Sequence, residues 1–161
     1  MKLYLDLDGV FADFNKKVFE ITGEHSSQLT PKSLWSQLTR VDHFFATLQP
    51  LPESIEHFRE LQQRSLIPIE ILTGLPLQIG KFKTSEMDKR AWVKLYLDEN
   101  ITVNCTTRRG DKVKYIKSPT DILVDDTEFN IVTWSGAGGV GILHQDWKNT
   151  FRNLNQLGAL K

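Results

Sequence analysis

Two aspartates close an otherwise apolar run near the N-terminus, "KLYLDLDGVF", residues 2–11. A buried strand carries a carboxylate only where something compensates its charge, because a desolvated, unpaired carboxylate is costly. Asp6 and Asp8 therefore belong where the strand leaves the core, ahead of a turn at Gly9. That placement favours a sheet whose strands all emerge along one edge, and the rest of the chain repeats the pattern. "IPIEILTG" ends in Thr73 and Gly74, and "TDILVDD" ends in Asp125 and Asp126.

Between these runs lie helical patterns. Phe14, Val18 and Ile21 share a helical face, with Gly23 as the stop. Thr30 and Pro31 mark a second helix start. "DHFFATL" predicts a short helix, and Ile55, Phe58 and Leu61 form one face of another. "SEMDKRAWVKLYLDEN" is the clearest helix, with Ser85 and Asp88 read as a capping pair. "ITVNC" and "VGILH" complete five strand predictions, and "WKNTFRNLNQL" closes the chain as a helix. This alternation predicts an α/β fold with a doubly wound, mainly parallel five-stranded sheet. The first two strands stand about 60 residues apart, far beyond the ~10–12 that a crossover requires. Residues 15–50 are therefore read as a small helical cap inserted after strand one, and residues 1–14 with 51–161 as the core.

Composition narrows the function. Twenty basic residues balance twenty acidic ones, which argues against a general nucleic-acid or membrane-surface binder. The single cysteine, Cys105, excludes an intrachain disulfide and a multi-cysteine zinc site, and suits a cytoplasmic setting. The acid-interrupted N-terminus does not read as a signal peptide, and no apolar run is long enough to span a membrane. His25, His43, His57 and His144 are scattered and read as surface or structural residues. Cys105, Trp92, Trp134 and Trp147 read as packing residues. "GAGGVG", residues 136–141, matches a dinucleotide-type glycine pattern but precedes a strand, so it reads as a turn.

A parallel sheet gathers its strand ends at one lip, where ligands bind. Asp6, Asp8, Asp125 and Asp126 would meet there. Two carboxylates ~4 Å apart repel by about 4 kcal/mol even at an effective dielectric of 20, so protons or a cation must compensate them. An all-oxygen set suits a hard cation, Mg2+ first. Thr73 and a lysine from "KVKYIK" would add donors for a phosphoryl group. Among the basic residues of "RRGDKVKYIK", Arg108, Arg109, Lys114 and Lys117 are read either as a solvated face or as attractants for substrate phosphate.

The order Asp-x-Asp-Gly-Val, strand-Thr, Lys, strand-Asp-Asp resembles the haloacid dehalogenase superfamily of phosphohydrolases across nearly the whole chain. The resemblance implies Asp6 as a nucleophile forming an aspartyl-phosphate, and Asp8 as the acid and base. It implies Thr73 and Lys112 as phosphoryl ligands, with Lys114 and Lys117 left as alternatives to Lys112. It also implies Mg2+ held by Asp6, the Asp8 carbonyl, Asp125 and Asp126, with Asp126 as direct ligand and Asp125 in support. Within the superfamily, "LDGVFADF" and "EMDKRAWVKLYL" are similar to the 5′(3′)-deoxyribonucleotidase branch, which implies a small phosphorylated partner such as a nucleoside monophosphate. Gly9, Phe14, Gly74, Trp35 and Phe45, with Phe44 as a further cap aromatic, are placed against substrate on that basis. "TGLP" departs from the branch's Thr-Ser-Pro, removing a hydroxyl at position 74. A phosphatase for another small ester or a polynucleotide end is the alternative enzyme, and a receiver-like phospho-acceptor module the non-enzymatic one. The oligomeric state stays open, a dimer included.

Overall fold

The computed structural model describes residues 1–161. Five strands form one sheet: β1 (Leu3–Leu5), β2 (Ile69–Gly74), β3 (Val103–Thr106), β4 (Ile122–Asp125) and β5 (Val140–Leu143). Their spatial order is β3-β2-β1-β4-β5, and every pairing is parallel. Leu3 and Leu5 pair with Ile69 and Ile71 on one side and with Ile122 and Val124 on the other. β1 is thus central and carries side chains buried on both faces, as an all-parallel sheet requires.

Six α-helices surround the sheet: α1 (Phe14–Thr22), α2 (Pro31–Leu38), α3 (Ser54–Arg64), α4 (Ser85–Tyr96), α5 (Glu128–Gly136) and α6 (Trp147–Gln156). Local chemistry sets several of their ends. Asp13 caps α1 by accepting from the Lys16 amide at 2.9 Å, and Gly23 closes it at φ 73°. Thr30 caps α2 through the Ser33 amide, with Pro31 at the first helical position. The predicted Ser85–Asp88 capping pair of α4 does not form. A 3₁₀ turn over Gly80–Thr84 runs straight into α4, so Ser85 lies inside the helical path and donates to the Phe82 carbonyl. Asp88 instead binds the Thr84 hydroxyl and the His43 ring.

The two sheet faces are unequal. Leu3, Leu5, Ile71, Ile122 and Val124 face a large core with Phe58 and Leu61 of α3, Trp92 and Val93 of α4, and Trp147, Phe151 and Leu154 of α6. Leu34, Leu38, Phe44 and Phe45 from the segment between β1 and β2 belong to that same core. The helical insert after β1 therefore shares one packed interior with the sheet. On the opposite face Tyr4, Leu72 and Leu123 are covered by Trp134 of α5.

The glycine run 136–141 joins α5 to β5 as a turn. A Cβ on Gly139 would fall 2.3 Å from the Trp134 indole nitrogen, so the turn serves packing. Trp92 and Trp134 are buried packing residues, as the sequence indicates, and Trp147 packs against His57, His144 and Phe151. Cys105 is only half-buried, because β3 is an edge strand. No helix is long and apolar enough to cross a membrane.

Candidate active site

β1 ends at Leu5, one residue before the first aspartate. The Asp6 amide still donates to the Val124 carbonyl at 2.9 Å, so the residue is held in line with the sheet. The chain then folds back on itself, with the amides of Phe11 and Ala12 both reaching the Leu7 carbonyl. Gly9 takes φ 78° in this loop, and a Cβ there would fall 2.0 Å from an Asp126 carboxylate oxygen. Any other residue would be strained and would collide with the neighbouring acid. β4 delivers Asp125 and Asp126 beside Asp6, and carboxylate oxygens of these three residues lie within 4.8 Å of one another.

The crowding shows in the protonation behaviour. Burial, reinforced by Asp6 and Asp125, pushes Asp126 up to about 7. Burial and Asp6 push Asp125 up to about 6. Asp125 is fully buried and takes its partners from the protein: Lys112 at 2.6 Å, the Thr127 amide at 2.8 Å and the Asn130 amide group at 2.9 Å. Asp126 faces the open cavity. Asp6 Oδ1 lies 2.9 Å from Lys112 Nζ, yet it is buried and lacks an aligned hydrogen bond. Three crowded acids that share one ammonium fit a bound hard cation. Asp6 and Asp126 are the side chains available to it, with Asp125 behind them.

Of the three lysines left open by the sequence, only Lys112 reaches these acids. It is 5 % exposed, and although burial works against its charge, Asp6 and Asp125 together push its pKa up. Lys114 pairs at the surface with Asp111, and Lys117 is exposed.

A second lysine was missed. Lys89 of α4 is 1 % exposed and reaches Asp8 Oδ2 at 2.5 Å, Thr73 Oγ1 at 3.0 Å and the Gly74 carbonyl at 2.8 Å. Its ammonium also sits 4.5 Å from the centre of the Phe45 ring. The available signal was the stripe Ser85, Asp88, Lys89, Trp92 and Val93, all buried and spaced as one helix face. A lysine on such a stripe needs an acid to meet it. Asp8 supplies it, and its side chain therefore points to Lys89 and stays outside the trio of Asp6, Asp125 and Asp126. Burial, first, and then the nearby Asp6 raise the Asp8 pKa while Lys89 works against them. The second carboxylate oxygen of Asp8 has no partner.

Asp6, Asp8 and Lys112 line a cavity of about 410 Å³ together with Gly9, Phe14, Trp35, Thr73, Gly74 and Asp126, while Lys89 and Asp125 are not among its lining residues. Phe14 and Trp35 stand 6.1 Å apart and tilted by 52°, so they form a wedge and leave no flat slot. Phe45 is not a lining residue. It is 2 % exposed and packs under Lys89 and against Phe82, because the insert shares the sheet's core; Phe44 is buried with it. Thr106 of β3, also missed, lines the cavity, and its hydroxyl oxygen lies 3.9 Å from where a Cβ on Gly74 would sit. β3 thus offers a hydroxyl close to the one position 74 lacks.

No family model matches the chain, and no curated protein matches it either. Among solved structures, the chain is similar to a haloacid dehalogenase-like hydrolase from Streptococcus pneumoniae. That match has a TM-score of 0.53 at 13% identity, over 87% of this chain and 82% of that one. A second hydrolase from the same organism matches at a TM-score of 0.49 and 10% identity, over 96% and 97% of the two chains. The first likeness shows the fold: a haloacid dehalogenase-like α/β architecture, with five parallel strands in the order 3-2-1-4-5 and a helical insert after the first.

Proposed function

We propose that the protein is a magnesium-dependent phosphomonoesterase working through an aspartyl-phosphate on Asp6, with a nucleoside monophosphate as its substrate. One observation carries the reading. Asp6 stands at the centre of the lip with a buried lysine on one oxygen and two crowded acids beside it, open to a cavity of about 410 Å³. When bound, magnesium would neutralise phosphoryl charge and polarise the ester phosphorus.

The chain's own groups account for the remaining chemistry. Asp6 attacks phosphorus, forming an acyl-phosphate bond as the ester P–O bond breaks. The carboxyl of Asp8, whose free oxygen faces no protein donor, gives its proton to the departing alkoxide. Asp8 then takes a proton from water, and that water attacks phosphorus to release inorganic phosphate and restore Asp6. Lys112 balances Asp6 and Asp125 throughout. Thr73 and Thr106 offer hydroxyls to the phosphoryl oxygens. Phe14 and Trp35 present apolar surface to the leaving group.

Turnover of a phosphomonoester panel with magnesium, deoxynucleotides included, tests this. Asp6→Asn should lower kcat by at least about 10³-fold with an unchanged circular dichroism spectrum. Full activity in that variant would remove Asp6 from the nucleophile role. A phosphoaspartate that persists for minutes without turnover would favour a receiver-like module instead.

A further inference from the structure

Arg109 stands in the cavity wall without an acid partner. Arg64 and Arg90 bind Glu60 and Glu86, at 2.6 and 2.7 Å. Arg109 instead places its guanidinium carbon over the Phe129 ring, 3.9 Å from its centre. Contact with the ring leaves the guanidinium N–H groups without an acid partner, and those groups can grip a phosphate through two parallel bonds. The ring thus holds a cation ready without neutralising it.

Its position says what it is for. Arg109 lines the catalytic cavity, and it also lines a side cleft of about 350 Å³ with Trp35, Pro76, Leu77 and Ile79. The two spaces share Trp35 and Arg109, and the side cleft contains none of the acids. Arg109 therefore marks the exit of the catalytic cavity toward the leaving group. The reacting phosphoryl has its own cation in Lys112 at the acid end, with Lys89 beside Asp8 and Thr73.

We infer that Arg109 forms a second anion subsite, so that the preferred substrate carries a further phosphate on its leaving group. This rests on the phosphomonoesterase reading and narrows its substrate class. Two sources share the chemistry: the other phosphate of a nucleoside bisphosphate, and the first phosphodiester of a short oligonucleotide. The balanced charge of the chain supports a local contact of this kind over a long nucleic-acid track.

The test compares kcat/KM at fixed ionic strength for thymidine 5′-monophosphate, thymidine 3′,5′-bisphosphate and the 5′-phosphorylated dithymidine dinucleotide. The wild type should favour at least one two-phosphate compound over the monophosphate by about tenfold, the scale of one charge-assisted contact. Which compound is favoured identifies the source of the second phosphate. Arg109→Ala should abolish the preference, and Arg109→Lys should retain part of it. No preference in the wild type, or an equal loss on all three compounds in Arg109→Ala, would overturn the inference. If the wild type hydrolyses none of them, the phosphomonoesterase reading fails, and calorimetric binding of the same compounds then decides the subsite. Tighter binding of a two-phosphate compound, lost in Arg109→Ala, upholds it; equal binding overturns it.

Discussion

The two acids that follow β1 each meet a buried lysine, and the two halves of the site are built differently. On one side Lys112 lies between Asp6 and Asp125, and Asp125 is further held by Thr127 and Asn130. On the other, Lys89 meets one acid, Asp8, and two neutral oxygens, with the Phe45 ring beneath it. The first half has surplus negative charge and is anchored to the sheet. The second is balanced and is anchored to the helical insert. A charged ligand should therefore act mainly on the first half, and a packing change in the insert mainly on the second.

The largest contrast is expected between the two lysines. Lys112→Met leaves Asp6 and Asp125 buried without a counter-charge and should destabilise the protein by about 3–5 kcal/mol. Magnesium should restore much of that loss. Lys89→Met should cost less, about 2 kcal/mol, because 24 % of the Asp8 side chain is exposed and solvent screens it. Magnesium should not restore it. Thermal unfolding of both variants with and without magnesium checks this, and equal rescue would erase the distinction between the halves.

The same surplus charge predicts a pH effect at the first half that magnesium can remove. Asp125 and Asp126 have folded pKa values raised to about 6 and about 7. At these two positions the native state therefore holds more protons than the unfolded chain between about pH 4 and pH 7. Stability should be full below that window and fall as pH rises through it. In chelator, Tm should drop from pH 4.5 to pH 7.5, and magnesium should remove the drop. A Tm in chelator that does not fall over this range would show that the acids are not crowded.

Smaller effects sharpen the second half. Phe45→Leu removes the ring under Lys89 and should cost about 1–3 kcal/mol from lost packing and cation–π attraction. Its loss in turnover should accompany the loss in stability. Thr106→Val keeps the shape of the site and deletes only the hydroxyl. It should lower kcat/KM by roughly tenfold, within the range for a hydrogen bond to a charged group, and leave Tm within about 1 °C. An unaffected kcat/KM would remove Thr106 from the phosphoryl ligands.

The first half was legible in the sequence because its members are neighbours of strand ends. Asp6, Asp125 and Asp126 break apolar runs, and the position of a break is visible in one dimension. Lys112 could be narrowed only to one of three lysines, since a 3₁₀ turn at Asp111–Tyr115 decides which of them points inward. The second half was harder. Lys89 reads as one more charge on an amphipathic helix until its whole stripe is seen to be buried. Phe45 and Trp35 looked equivalent as insert aromatics, yet Phe45 is buried with the core and Trp35 remains at the cavity mouth.

The order of strand and helix signals, with acids placed at strand ends, was enough to determine a parallel α/β sheet and an acidic lip, because hydrophobic periodicity and the cost of burying charge act locally along the chain. Which lysine meets which acid, which aromatic faces the cavity and which hydroxyl stands near Gly74 were decided only by tertiary packing. Those pairings join residues far apart along the chain, as Asp6 with Lys112 and Asp8 with Lys89, and depend on how the insert and α4 settle on the sheet.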